Sequence, residues 1–79
     1  MLTREMYSWI VAVDGKPTDI RTDVGLAIHQ GKVRASNTDA PVTLHYGHVT
    51  ATTLHVDGKM EVQIAAKPSD NTLMATIHK

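Results

Sequence analysis

The chain has no cysteine and no phenylalanine, and its only aromatics are Tyr7, Trp9 and Tyr46. Without cysteine there is no disulfide framework, no thiolate metal site and no cysteine nucleophile. Three aromatics are too few for a platform on which successive bases stack. Formal net charge is zero, whereas a nucleic-acid binder usually carries a basic excess or stripe. No apolar run approaches the ~20 residues that cross a bilayer as a helix. The opening Met1-Leu2-Thr3-Arg4-Glu5 lacks the basic stretch and apolar core of a secretory signal. The expectation is a cytoplasmic protein without membrane contact.

At 79 residues the chain is expected to form a single domain spanning residues 1–79. A core of this size rarely supplies more than ~3–5 kcal/mol, and small domains usually add a disulfide, a metal or a partner chain. With cysteine missing, self-association is the expected supplement. Zero net charge permits it by weakening repulsion between copies.

What is present is a repeated turn. Val13-Asp14-Gly15-Lys16 and Val56-Asp57-Gly58-Lys59 are the same four residues, each between runs that alternate apolar and polar. Asp-Gly in that setting signals a two-residue type I′ hairpin, because both central residues must take positive φ. Further joints are read at Gln30-Gly31, Gly47-His48 and Pro68-Ser69-Asp70-Asn71. Strand-favouring Val, Ile and Thr recur throughout. The expected fold is all-β: a small antiparallel sandwich or open barrel of 6–8 short strands built from hairpins. The alternative is α+β with one short helix near 22–30, capped by Thr22 or Asp23 and closed by Gly31. Strand is preferred there because Val24, Leu26 and Ile28 alternate.

Turn positions fix register, and register fixes faces. Turns at Gly47-His48 and Asp57-Gly58 would put Val42, Leu44, Tyr46, Val49, Ala51, Thr53, His55, Met60, Val62, Ile64 and Ala66 on one core-facing side. The first hairpin would set Trp9 opposite Ile20. The other side of the meander is polar except for Leu54 and Val56. Flanked by Thr52, Lys59 and Glu61, this pair has the form of an apolar patch with a polar rim, a partner or oligomer interface. A second cluster, Arg21, His29, Lys32 and Arg34, forms a basic patch if the first two hairpins are neighbours; an ordinary charged sheet face is the preferred reading, and nucleic-acid contact the weaker one.

No motif carries catalysis. Ser8, Ser36 and Ser69 lie in no Gly-x-Ser-x-Gly elbow, and Asp14, Asp57 and Asp70 are turn formers. His45, His48 and His55 approach metal-ligand spacing, but the registers make them diverge, so no metal or other cofactor is expected. His55, on the apolar side, is read as a half-buried histidine at the rim of the core, the alternative being a pH-sensitive group. A shared frame of Gly, a basic or His residue and alternating apolar residues also occurs in β-solenoids and trimeric fibres, but its spacing here is uneven.

The leading functional expectation is a small non-enzymatic protein-binding or assembly module of the inhibitor or adaptor type. It would act as a homo-oligomer, of the kind phages and mobile elements encode. The alternative is a structural subunit of a viral or fibre-like assembly. A weak nucleic-acid-binding small barrel comes third.

Overall fold

A computed structural model describes residues 2–79. The chain is mostly strand with one helix. The elements are β1 (Leu2–Val13), β2 (Lys16–Arg21), α1 (Val24–Ser36), β3 (Val42–Val56), β4 (Lys59–Ala66), a 3₁₀ turn (Pro68–Asp70) and β5 (Thr72–Ile77). One antiparallel sheet runs in the order β2-β1-β3-β4, and β5 also pairs with β3. β4 holds residues 49–56 of β3, while β5 holds residues 42–46. The two therefore share one edge of β3 end to end.

Both Asp-Gly turns form as the sequence predicts. Asp14 and Asp57 take φ of 53°, with Gly15 at 79° and Gly58 at 75°. These positive values are the geometry that a two-residue type I′ connection demands. Behind Asp57-Gly58, Val56 pairs with Lys59 and Thr53 with Val62, the expected register. Behind Asp14-Gly15 the register slips by one between Val11 and Ala12, so Ile20 pairs with Ile10 and Arg21 with Trp9. The expected Trp9–Ile20 pair is thereby corrected. The bulge sits beside Pro17, which has no N–H to give the ladder. It turns Asp19 to the helix side of the sheet and Ile20 to the other.

Two expected joints are not turns. Residues 24–36 are helical, so the strand preferred there is overturned and the alternative of one short helix near 22–30 holds, with the helix outrunning its expected end at Gly31. Asp23 is the N-cap: its carboxylate accepts a hydrogen bond from the Leu26 N–H at 3.1 Å. Ala27, Gly31 and Ala35 are the buried residues of α1. They recur every fourth position, the spacing of one helix face. A stripe of small residues lets the helix lie close on the sheet. Val24, Leu26, Ile28 and Val33 all stay substantially exposed. The alternation that suggested a strand is thus carried by residues outside the core.

A Cβ on Gly31 would collide with Cδ1 of Ile77 on β5. Alanine ordinarily gains about 1 kcal/mol over glycine inside a helix. Gly31→Ala should deliver that gain only in an Ile77→Val background, where the colliding methyl is gone. Urea midpoints of the four chains check this.

The second missing joint is Gly47-His48. β3 runs straight through it, and β1 pairs with β3 without interruption from Val13–Val42 to Leu2–Thr53. Side-chain parity is therefore constant along β3. Val42, Leu44 and Tyr46 lie on one face, and Val49, Ala51 and Thr53 on the other. The single apolar side expected for residues 42–66 is in fact two half-faces on opposite sides of the sheet.

Each half-face belongs to a different environment. Under α1, Val11, Val42 and Leu44 form a core with Ala27 and Ala35, and Trp9, Val13 and Ile77 pack against it. On the reverse face Ile10, Ala12 and Val49 are buried without a helix. There the sheet curls into a half-barrel. β2 approaches the end of β4 without pairing, leaving a cleft of about 330 Å³ lined by residues including Pro17, Ile20, Ile64 and Ala66. Five strands thus replace the expected six to eight, in an open barrel with one covering helix.

Candidate protein-interaction site

The body of the protein ends where α1 stops covering the sheet. Beyond it, residues 2–7 of β1, 49–56 of β3 and the whole of β4 continue as a three-stranded arm. The chain is accordingly elongated, 42 × 23 × 21 Å. Cross-strand pairs lie on the same face, so the registers lay out each face of the arm row by row.

One face carries Leu2, Thr53 and Val62 in a row, then Arg4, Ala51 and Ile64, then Met6, Val49 and Ala66, with His55 and Met60 at the tip. Leu2 is 76% exposed, Met60 68%, Val62 58% and Ile64 56%. The sequence assigned Met60, Val62 and Ile64 to the core, and the structure corrects this: their register is right, but Met60 and Val62 are uncovered and Ile64 borders the open cleft against β2, all three more than half exposed. His55 is exposed as well, so it is not a histidine at the rim of the core.

The opposite face carries Thr50, Thr52, Leu54 and Val56 beside Lys59, Glu61, Gln63 and Ala65. The five residues singled out from the sequence, Leu54, Val56, Thr52, Glu61 and Lys59, are therefore neighbours on one surface. Leu54 pairs with Glu61 and is half-buried; Val56 pairs with Lys59 and is exposed. This patch holds two large apolar residues. The reverse face of the same arm exposes four, and periodicity hid them because an interior and an uncovered surface alternate alike.

At the junction of body and arm all three aromatics gather on the helix side. Trp9 and Tyr46 are cross-strand partners with ring centroids 4.8 Å apart. Tyr7 stacks on Tyr46 at 6.4 Å and meets His48 edge-on at 6.0 Å. Such ladders typically add about 0.5–1.5 kcal/mol per pair, so they stiffen the sheet where the helix ends.

The other edge of this junction is closed by Asn71. The β3 edge changes partner from β4 to β5 here, which leaves residues 47 and 48 without a strand beside them. The Asn71 side chain takes that place. Its Oδ1 accepts from the His48 N–H at 2.8 Å, and its Nδ2 donates to the carbonyls of Lys67 at 3.0 Å and His48 at 3.4 Å. A Cβ at position 47 would strike Asn71, so glycine is required. Sequence reasoning took Asn71 and Gly47 only as turn formers.

The four basic residues of the expected patch do not form one stripe. Arg34 leaves α1 to meet Asp19, with Nε donating to Oδ2 at 3.0 Å, and Arg21 approaches the same carboxylate at 3.6 Å. Thr18 donates its hydroxyl to Asp19 at 2.9 Å. Burial raises the Asp19 pKa, but the bonds from Arg34 and Thr18 and the two guanidinium charges outweigh it. The net value lies below the usual 3.8. His29 and Lys32 lie on exposed positions of α1. The patch assumed two neighbouring hairpins, one of which is the helix.

The histidines separate. His48 projects to the helix side and reaches Glu5 at 3.6 Å. His45 and His55 share the reverse face but stand ten positions apart on β3, roughly 34 Å along an extended strand. His45 is the buried one, 8% exposed, with Nε2 in a 2.8 Å hydrogen bond to the Thr43 hydroxyl. Burial pushes its pKa below 6.5. Its Nδ1 and the hydroxyl of Ser8 are buried without hydrogen-bond partners among the described residues. No described helix is long and apolar enough to cross a membrane.

No protein-family model matches the chain, and comparison with curated proteins and with solved structures finds no match either.

Proposed function

We propose that this protein is a small non-enzymatic binding or assembly module that works by burying the uncovered apolar face of its arm against protein. One observation carries the reading. Leu2, Met60, Val62 and Ile64 are each more than half exposed, and the registers place all four on one face of one sheet. Scattered apolar surface residues need no explanation, but a contiguous patch on a small domain marks an interaction site. The patch has the anatomy of an interface: Leu2, Val62 and Ile64 around Ala51 and Thr53, with Arg4 and His55 at the margins. The seam cleft offers less for chemistry, since Asp19 on its border turns its carboxylate to the helix side, where Arg34 and Thr18 hold it.

Affinity capture from the source cell tests the reading, with Val62→Lys on the apolar face and Thr52→Lys on the polar face as paired variants. The wild-type chain and Thr52→Lys should retain the same partner, a second copy of the chain included, and Val62→Lys should lose it. A partner lost with Thr52→Lys and kept with Val62→Lys would move the interface to the Leu54–Val56 side. Identical capture by all three chains would remove the arm from function altogether.

A further inference from the structure

We infer that the arm takes an extended peptide segment of its partner as an added strand along the outer edge of β4, in the seam that faces β2. The inference rests on the reading above and names the form in which the partner is bound. Its basis is the direction of the backbone groups on β4. Val56 and Lys59 flank a two-residue turn and so exchange both of their hydrogen bonds. In an antiparallel ladder such pairs alternate with pairs whose backbone groups point away from each other. The unbroken β3–β4 register therefore turns the N–H and C=O of Met60, Val62, Ile64 and Ala66 outward. Carried along β3, the same alternation points the His48 N–H to this edge, where Asn71 meets it. No described strand lies beyond β4.

β2, across the cleft, is closed to pairing. Pro17 has no N–H, and the Ile20 carbonyl accepts from the Arg21 guanidinium at 2.8 Å. Proline and charged side chains are how sheet edges are blunted. β4 has no proline, and its charges, Lys59 and Glu61, stand on the face away from the cleft. The residues whose backbone points outward are the ones whose side chains lie on the apolar face. Of these, Ile64 and Ala66 line the cleft of about 330 Å³ against Pro17 and Ile20. The outer edge of residues 2–7 is open too, but its outward groups belong to Thr3, Glu5 and Tyr7, whose side chains lie on the opposite face.

A row of outward N–H and C=O groups is satisfied by another extended backbone, and strand addition beside pockets for alternate side chains is a recurring mode of peptide recognition. The cleft lies at the small end of the ~300–1,000 Å³ range of ligand sites, which suits the side chains of one strand. A folded sheet pairing along β4 would bring its second strand to where β2 already stands. Charge sets the outer side of the segment. Lys59 and Glu61 stand two positions apart on the polar face of β4. An acid opposite Lys59 and a base opposite Glu61 would each gain a cross-strand pair. On the inner side, apolar residues would cover Val62 and Ile64. The occupant is thus a segment with apolar residues at every second position and charges of both signs between them.

Selection of displayed ten-residue linear peptides on the immobilised full chain supplies the probe, and the most enriched peptide is then used in synthetic form. Enriched sequences should place apolar residues at every second position. With that peptide bound, hydrogen exchange at the Val62 and Ile64 amides should slow at least tenfold, and at Thr3 and Glu5 by less than twofold. Val62→Pro removes one outward N–H and leaves the β3 ladder whole, the placement at which an edge strand tolerates proline. It should weaken the peptide at least tenfold more than Val62→Ala does, while Thr52→Lys should change binding by less than twofold. Should Val62→Pro unfold, the exchange pattern of the wild type decides alone. No enrichment, protection of Thr3 and Glu5 in place of Val62 and Ile64, or equal losses in Val62→Pro and Val62→Ala would overturn the proposal. A cellular partner lost with Val62→Lys and kept with Val62→Pro would leave the binding-module reading standing and reject only the added strand.

Discussion

Gly47→Ala should cost this protein about 2–3 kcal/mol, a large share of the ~3–5 kcal/mol that a domain of this size commands. The loss comes through another residue. The new methyl occupies the space of the Asn71 side chain, and displacing that side chain strips His48 of the acceptor for its N–H and Lys67 of a donor to its carbonyl. Each exposed hydrogen bond of this kind contributes ~0.5–1.5 kcal/mol net, and losing both while displacing the side chain adds up to the stated cost. Asn71→Ala should cost a similar amount for the same reason.

The decisive comparison is the double variant. With Asn71 already truncated nothing opposes the methyl, and glycine inside a strand is itself unfavourable by roughly 0.5–1 kcal/mol. Gly47→Ala should then be neutral or mildly stabilising. Urea unfolding of the four chains gives the coupling directly. A Gly47→Ala penalty that persists undiminished in the Asn71→Ala background would place the collision elsewhere.

Acid should destabilise the fold in two steps assigned to two residues. His45 is held neutral by burial, with a native pKa below 6.5. As pH falls through 6.5 the unfolded chain takes up a proton that the native site resists, so stability falls and continues to fall until the native value is reached. Asp19 acts lower. Its native pKa lies below 3.8, so its stabilisation is fully present above that value. It is lost as pH drops through 3.8 to the native value, where the carboxylate gives up Arg34 and Thr18.

His45→Gln should flatten the first step and Asp19→Asn the second. At neutral pH Asp19→Ala should lower Tm by about 5–10 °C, because it unties β2 from α1. Arg34→Gln should do less, since Thr18 and Arg21 still face the carboxylate. Tm measured from pH 8 down to acid unfolding in the wild type and these variants checks both assignments. A profile unchanged by Asp19→Asn would remove that residue from acid unfolding.

The parts of this fold written into local chemistry were legible. Asp14-Gly15 and Asp57-Gly58 specify their own dihedral angles, and the second fixed the β3–β4 register to the residue. The helix was harder, because its contact stripe is Ala27, Gly31 and Ala35. Small residues leave little trace in a hydrophobicity pattern, while the exposed Val24, Leu26 and Ile28 alternate like a strand. Gly47 misled in another way: a glycine at the point where the apolar parity reverses reads as a turn. In the structure the parity reverses because α1 covers one end of β3 from one side and leaves the other end open. That depends on contacts far along the chain, as does the placing of Asn71 over Gly47. The candidate site was legible to the same degree. The rows of the arm followed from register, but which of its faces is uncovered did not.

The uninterrupted pairing of β1 with β3 has a kinetic consequence. Val13 meets Val42 across a loop that contains all of β2 and α1, and every later pair out to Leu2 with Thr53 closes a longer one. Loop closure makes the inner end the cheaper place to begin, so the ladder zips outward and the N-terminal residues join last. The Asp57-Gly58 hairpin needs no such search and forms within its own neighbourhood. For part of folding it therefore stands ready while its third strand is still unattached, with an open backbone edge that the incoming residues 2–7 must claim before a neighbouring molecule does.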